Sequence, residues 1–220
     1  MRWKLVIFDC DGVLVDSERI DTQVLIEMAA ELELPIPPTQ AIGLFRGRAI
    51  AQCVTLIEER LGRRAPADVI QAVRRRSAAV FERELRPIEG VAAALQQITI
   101  PVCVASSAPP EKIELALRLT GLLERFAGRI FSADQVGRAK PDPALFQHAA
   151  RTLGCAPFEC VVVEDSLVGV QAAVAAGMHV LGYADAAYGP TLAAAGAQVF
   201  AQMAELPALL AAPPAPPSRT

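Results

Sequence analysis

Three short apolar runs in this chain stop at polar residues, and that recurrence restricts the fold more than any other feature. Leu5-Val6-Ile7-Phe8 ends at Asp9-Cys10-Asp11-Gly12, Val102-Cys103-Val104-Ala105 at Ser106 and Ser107, and Cys160-Val161-Val162-Val163 at Glu164 and Asp165. A continuous apolar run closed by a polar turn is the pattern of a strand buried on both faces, as in parallel sheets covered by helices. Helical spacing follows the second and third runs, from about Pro110 and again up to Gly177. Val180-Leu181-Gly182-Tyr183 and Gln198-Val199-Phe200 supply two further candidates. About five parallel strands are therefore expected, in an α/β, Rossmann-like sheet with helices on both faces.

The stretch between the first and second runs reads differently. Ile20, Val24, Leu25, Met28 and Leu32 recur at helical spacing from Asp16-Ser17 to about Leu34, where Pro35, Pro37 and Pro38 end the segment. Ile50, Val54, Ile57 and Leu61 mark a second helix closed by Gly62, and Asp68 opens a third that runs toward Pro87. Residues 17–86 are thus expected to form an all-helical insert, with residues 1–16 and 87–212 forming the α/β core. The Pro- and Ala-rich tail, 213–220, is expected to be disordered.

Charge and cysteine usage exclude several classes of function. A net charge of −3, with both signs mixed along the chain, leaves no basic stripe for nucleic acid. No stretch reaches the roughly 18 uninterrupted apolar residues of a membrane span, and the start lacks a signal-peptide pattern, so a cytoplasmic protein is expected. Five cysteines without a CxxC pair fit reduced thiols rather than a disulfide framework. Cys10 lies between two acids that would raise its thiol pKa, so it reads as a small spacer and not as a nucleophile. His148 and His179 lie far apart in the sequence and make no metal site by spacing.

In an open parallel sheet the carboxyl ends of the strands share one edge, where ligands bind. Asp9, Asp11, Ser106, Ser107, Glu164 and Asp165 can therefore converge although they are distant in sequence. Carboxylates brought together from different strand ends repel one another unless a hard cation lies between them, and Mg²⁺ takes one or two carboxylates plus water and phosphate oxygens. Ser106 precedes a segment of helical pattern, where it could hold phosphate oxygens or simply act as a helix N-cap. Lys140, in the turn Lys140-Pro141-Asp142-Pro143, is either a positive charge at that site or a solvated loop lysine.

Asp9-Cys10-Asp11-Gly12-Val13-Leu14-Val15-Asp16-Ser17 resembles the first motif of the haloacid dehalogenase superfamily. Ser106 at a strand end, Lys140 in its Lys-Pro-Asp-Pro turn and Glu164-Asp165-Ser166 with Gly169 follow in that superfamily's order. The helical insert resembles the small cap of the branch that includes β-phosphoglucomutase and many sugar-phosphate phosphatases. The resemblance implies that Asp9 attacks phosphorus and that Asp11 serves as general acid and then general base. It implies that Mg²⁺ is held by the Asp9 carboxylate, the Asp11 backbone carbonyl and Asp165, with Glu164 contributing directly or through water. Ser106 and Lys140 would hold the phosphoryl oxygens, with Ser107 and Lys112 either assisting them or serving as plain surface or capping residues.

Within that superfamily a dehalogenase would lack the metal site, and an ion pump would need membrane spans. A mutase of the β-phosphoglucomutase kind shares core and cap, but its cap-hinge histidine and cap arginine fall at Asp21 and Ile50 here. A non-catalytic binding protein on the same fold is a third reading, opposed by the complete set of acids. Ile88-Glu89-Gly90 and the segment 140–149 look most like bacterial phosphatases acting on 6-phosphogluconate and similar sugar phosphates. The expected partner is therefore a small phosphorylated metabolite, handled by a monomer or weak homo-oligomer. Specificity is expected from the cap, where Arg46, Gly47 and Arg48 form either a substrate-facing loop or a solvated basic one.

Overall fold

The computed structural model of the chain describes residues 3–46 and 48–212. The tail 213–220 and Gly47 of the cap loop lie outside the described residues. Leu5–Phe8 forms β1, and four helices follow: α1 (Ser17–Glu31), α2 (Pro38–Phe45), α3 (Ile50–Leu61) and α4 (Val69–Glu84). From Val91 the chain alternates: α5 (Val91–Gln97), β2 (Val102–Ser106), α6 (Pro110–Leu119), β3 (Ile130–Ser132), α7 (Ala144–Thr152), β4 (Cys160–Glu164), α8 (Leu167–Ala175), β5 (His179–Tyr183), α9 (Gly189–Ala194), β6 (Gln198–Phe200) and α10 (Leu206–Ala211).

The six strands pair in parallel in the order β3-β2-β1-β4-β5-β6. β1 is central, with Phe8 opposite Val104 on one side and Val163 on the other. Alternate residues of the strands feed two separate cores, as the two-residue period of a strand requires. Val6, Phe8, Val104 and Val163 enter one cluster, while Leu5, Ile7, Cys103 and Val162 enter the other. Both faces are therefore covered, which explains why these strands read as unbroken apolar runs.

Two expectations need correcting. The sheet has six strands rather than about five, because Ile130–Ser132 adds an edge strand only three residues long. The prolines after α1 do not only end a helix: Pro38 starts α2, which suits a residue with fixed φ and no N–H at a first-turn position. The helices of the insert bury a cluster of their own, including Val24, Leu25, Met28, Ile57 and Val73. A fully buried side chain such as Ile57 contributes on the order of 2 kcal/mol by leaving water. The insert leaves and rejoins the core at one place, where Asp16 N–H donates to the Arg86 carbonyl and Ile88 N–H to the Leu14 carbonyl, each at 3.0 Å. Val15 and Pro87 form an antiparallel bridge there.

Candidate active site

The parallel register carries the ends of β1, β2 and β4 to one edge of the sheet. Asp9 follows β1 directly, and its N–H donates to the Val163 carbonyl at 3.0 Å, so the β1–β4 pairing extends to this residue. Gly12 then turns the chain with φ of +78°, and a Cβ there would lie 2.7 Å from Asp165 Cγ. A glycine at this position is required on both counts, by the backbone conformation and by the close approach of Asp165.

Lys140 is the centre of charge. Its Nζ lies 2.6 Å from Asp9 Oδ1 and 2.5 Å from Glu164 Oε1, and 4.9 Å from the Phe146 ring centroid. With 6% of its surface exposed, it is not a solvated loop lysine. Glu164 is wholly buried, and its second oxygen accepts from the N–H groups of Asp165 and Ser166 and from the Ser166 hydroxyl. Ser166 in turn caps α8 by accepting from Gly169 N–H at 3.1 Å. A side chain at Gly169 would overlap the Glu164 carboxyl group, so this glycine clears the space Glu164 occupies.

Carboxylate oxygens of Asp9, Glu164 and Asp165 all lie within 4.8 Å of one another. Among the described residues Lys140 is the one cation in ion-pair contact with this trio, and Asp165 has no ion pair. Burial, helped by Glu164 and Asp11 against the pull of Lys140, pushes the Asp9 carboxyl up to about 7. Burial and the neighbouring Glu18, Glu164 and Asp9 raise Asp165 well above the usual carboxylate range. Hard oxygen donors with surplus negative charge suit a divalent cation such as Mg²⁺.

The Asp11 carboxylate belongs to a different pairing. Its Oδ1 accepts from the Ser17 hydroxyl and lies 3.1 Å from Lys112 Nζ. Burial raises its pKa, but Lys112 and Ser17 outweigh burial and hold it below the usual range. Lys112 also reaches Asp21 Oδ2 on α1 at 2.8 Å and lies over the Phe81 ring of α4. Sequence reasoning gave Lys112 only a helper's part and placed Asp21 in no binding role. A lysine in the first turn of a helix that follows a motif-bearing strand was the available signal.

Ser106 closes β2 and does not cap the next helix, which begins at Pro110. Its hydroxyl instead accepts from Ala108 N–H at 3.1 Å, shaping the turn. Ser132 of β3 supports the same turn by donating to the Ala108 carbonyl at 2.7 Å. Cys10 is buried, and burial with Asp11 and Asp9 drives its thiol pKa far up, as a spacer requires. All five cysteines are free.

A cavity of about 360 Å³ joins the sheet edge to the insert. Asp9, Asp11, Ser106, Ser107, Lys140 and Asp165 line it from the sheet edge, Asp21 and Ser77 from α1 and α4, and Arg46 and Arg48 from the loop between α2 and α3. Arg46 stacks its guanidinium 4.4 Å from the Tyr188 ring centroid and lies 3.9 Å from Glu18, while Arg48 donates to the Leu44 carbonyl.

The family model described as haloacid dehalogenase-like hydrolase matches residues 3–177. The chain belongs to that family. This haloacid dehalogenase-like hydrolase is 32% identical over 209 residues to the 6-phosphogluconate phosphatase of Escherichia coli, covering 94% of this chain and 95% of the relative. A haloacid dehalogenase-like protein of unknown function from Agrobacterium tumefaciens shares its fold with a TM-score of 0.85 and 35% identity, over 95% of this chain and 98% of that one. A hydrolase of the same family from Deinococcus radiodurans, solved with bound phosphate and sodium, matches at a TM-score of 0.78 and 32% identity, over 95% of each chain. Among the described residues no helix is long and apolar enough to cross a membrane.

Proposed function

We propose that this hydrolase is a Mg²⁺-dependent phosphatase that transfers a phosphoryl group from a small phosphorylated metabolite to Asp9. One observation carries the reading: Asp9, at the end of the central strand, shares a buried pocket with Lys140 and two further carboxylates that a single lysine does not neutralise. The Asp9 and Asp165 carboxylates and the Asp11 backbone carbonyl would hold the metal, with Glu164 contributing directly or through water. When bound, the metal supplies positive charge that lets a carboxylate approach a phosphate dianion.

Asp9 attacks phosphorus, and the bond from phosphorus to the ester oxygen breaks to give an aspartyl-phosphate. Lys140 and the Ser106 hydroxyl, with Ser107, neutralise the phosphoryl oxygens as charge builds on them. Asp11 gives its proton to the leaving oxygen. In the second step it takes one from the water that attacks the aspartyl-phosphate and releases inorganic phosphate. The ion pair with Lys112 keeps Asp11 ionised, the form the second step needs. A bound phosphoryl dianion beside it raises its pKa again and favours the acid form for the first.

The insert, residues 17–86, acts as a cap over a core of residues 1–16 and 87–212, with Arg46 and Arg48 contributing positive charge toward the substrate's far end. A sugar phosphate such as 6-phosphogluconate fits this arrangement and agrees with the activity named for the Escherichia coli relative. The mutase reading is disfavoured by the resemblance, in whose register the hinge histidine falls at Asp21, a residue paired here to Lys112. The test is phosphate release from p-nitrophenyl phosphate and a panel of phosphometabolites including 6-phosphogluconate, with Mg²⁺ or EDTA. Turnover that needs Mg²⁺ and vanishes in Asp9→Asn is expected; no release from any substrate with Mg²⁺ present overturns the proposal.

A further inference from the structure

Among the described residues three buried side-chain polar atoms lack a hydrogen-bond partner, and all three belong to residues of the insert that line the cavity. Arg46 Nε is one, with Glu18 Oε2 3.9 Å away; the other two are Asp21 Oδ1 on α1 and Ser77 Oγ on α4. Ser77 is 2% exposed and lies on the apolar stripe of its helix, one turn from Val73 and one from Phe81, where the other stripe positions are hydrophobic. Buried hydroxyls and carboxylate oxygens are nearly always hydrogen-bonded, so each orphan calls for a reason.

The chemistry of the missing partner follows from the two atoms. A carboxylate oxygen only accepts, so Asp21 Oδ1 needs a donor; a serine hydroxyl both donates and accepts. A hydroxyl group satisfies both, whereas a carboxylate or a second phosphate would be repelled by Asp21. The position follows from Lys112, whose ammonium touches Asp11 at 3.1 Å and Asp21 at 2.8 Å. Asp21 therefore stands one ammonium away from the group that handles the ester oxygen in the mechanism above. We propose that Asp21 and Ser77 are a specificity pair that binds a substrate hydroxyl on a carbon next to the phosphate ester. This rests on the phosphatase reading and adds to it a requirement for a neighbouring hydroxyl.

The experiment compares glycerol 3-phosphate with n-propyl phosphate, which keeps the ester and the three-carbon chain but has no hydroxyl. Sites built to bond a hydroxyl reject analogues lacking it strongly, because their own polar groups are then left unpaired. With Mg²⁺ the wild type should favour glycerol 3-phosphate by at least about 100-fold in kcat/KM. Ser77→Ala and Asp21→Asn should each reduce that ratio by about 10-fold or more, whatever they do to either rate alone. Because the readout is a ratio of two substrates on one variant, a general loss of activity does not imitate the result. Equal turnover of the two substrates by wild type refutes the hydroxyl pair and leaves the phosphatase reading intact. An unchanged ratio in both variants does the same, and would mean that the two atoms bond to trapped water. No phosphate from any ester overturns both.

Discussion

Replacing Asp9 by asparagine should stabilise the metal-free protein while abolishing its activity. Asp9 is 8% exposed, with Lys140 at 2.6 Å, a Glu164 carboxylate oxygen no more than 4.8 Å away and Asp11 adding to the repulsion. At an effective dielectric of about 20, the attraction is worth about 6 kcal/mol and the Glu164 repulsion at least about 3.5 kcal/mol. The two acids offset much of the attraction. What remains is the desolvation of a buried carboxylate, an uncompensated cost of several kcal/mol. An amide avoids that cost and still offers an oxygen to Lys140, so Asp9→Asn should unfold in EDTA at a free energy higher by about 1–3 kcal/mol. The pH dependence has a definite sign. The folded carboxyl titrates at about 7, above its ordinary value of 3.8, so between these values the unfolded chain binds fewer protons. Wild-type stability from this group therefore falls as pH rises from about 4 to about 7, and the variant lacks that fall. Saturating Mg²⁺ should reverse the ranking, since at a hundredfold excess over Kd it adds about 2.7 kcal/mol to the protein that binds it. Urea unfolding in EDTA and in Mg²⁺ measures all of this. A variant less stable than wild type by more than about 1 kcal/mol in EDTA would refute the picture of under-neutralised acids.

Lys140→Met should lower kcat by about 10²–10³ and, by leaving three facing carboxylates, cost about 3–5 kcal/mol of stability in EDTA; turnover near wild type in steady-state assays would exclude Lys140 from the reaction. Gly169→Ala should push the Glu164 carboxyl out of place, lowering stability by about 1–3 kcal/mol and activity with it. Gly43→Ala in α2, where an added Cβ meets nothing within 4 Å, is the control and should be neutral or stabilising by about 0.5–1 kcal/mol in thermal melts. Mild alkylation of the native protein, read by peptide mass spectrometry, should label Cys155 first. The other four thiols are buried, and burial pushes Cys53 and Cys160 up to about 12; early labelling of Cys103 would contradict the packing.

The strands that carry the site were legible because burial on both faces writes itself as an unbroken apolar run, and the polar residue ending each run marks the sheet edge. Asp9, Ser106, Lys140, Glu164 and Asp165 could be gathered from that pattern and the family motifs. β3 could not: an edge strand of three residues, one of them Ser132, leaves no periodicity to detect. α2 was hidden because Pro37 and Pro38 read as terminators when Pro38 begins a helix. The ion pairs of Lys112 with Asp11 and Asp21 join three separate elements through long side chains, which spacing along the chain does not encode. Ser77 did leave a trace, as a serine on a stripe shared with Val73 and Phe81, and a polar residue on an apolar face is a question the sequence can pose without answering.

The side-by-side ends of the insert also bear on how the chain acquires its structure. β1 must pair with β2 although five helices intervene, and long connections delay such pairing because the loop has to be closed first. A helical unit that forms early, and joins its own ends through the Asp16–Arg86 and Leu14–Ile88 hydrogen bonds, removes itself from that loop. The effective connection becomes roughly fourfold shorter, which lowers the closure cost by about 1.2 kcal/mol. The insert would thereby act as an internal chaperone for the central strand pair, and helix-breaking changes in α1 or α4 would slow folding of the sheet they do not belong to.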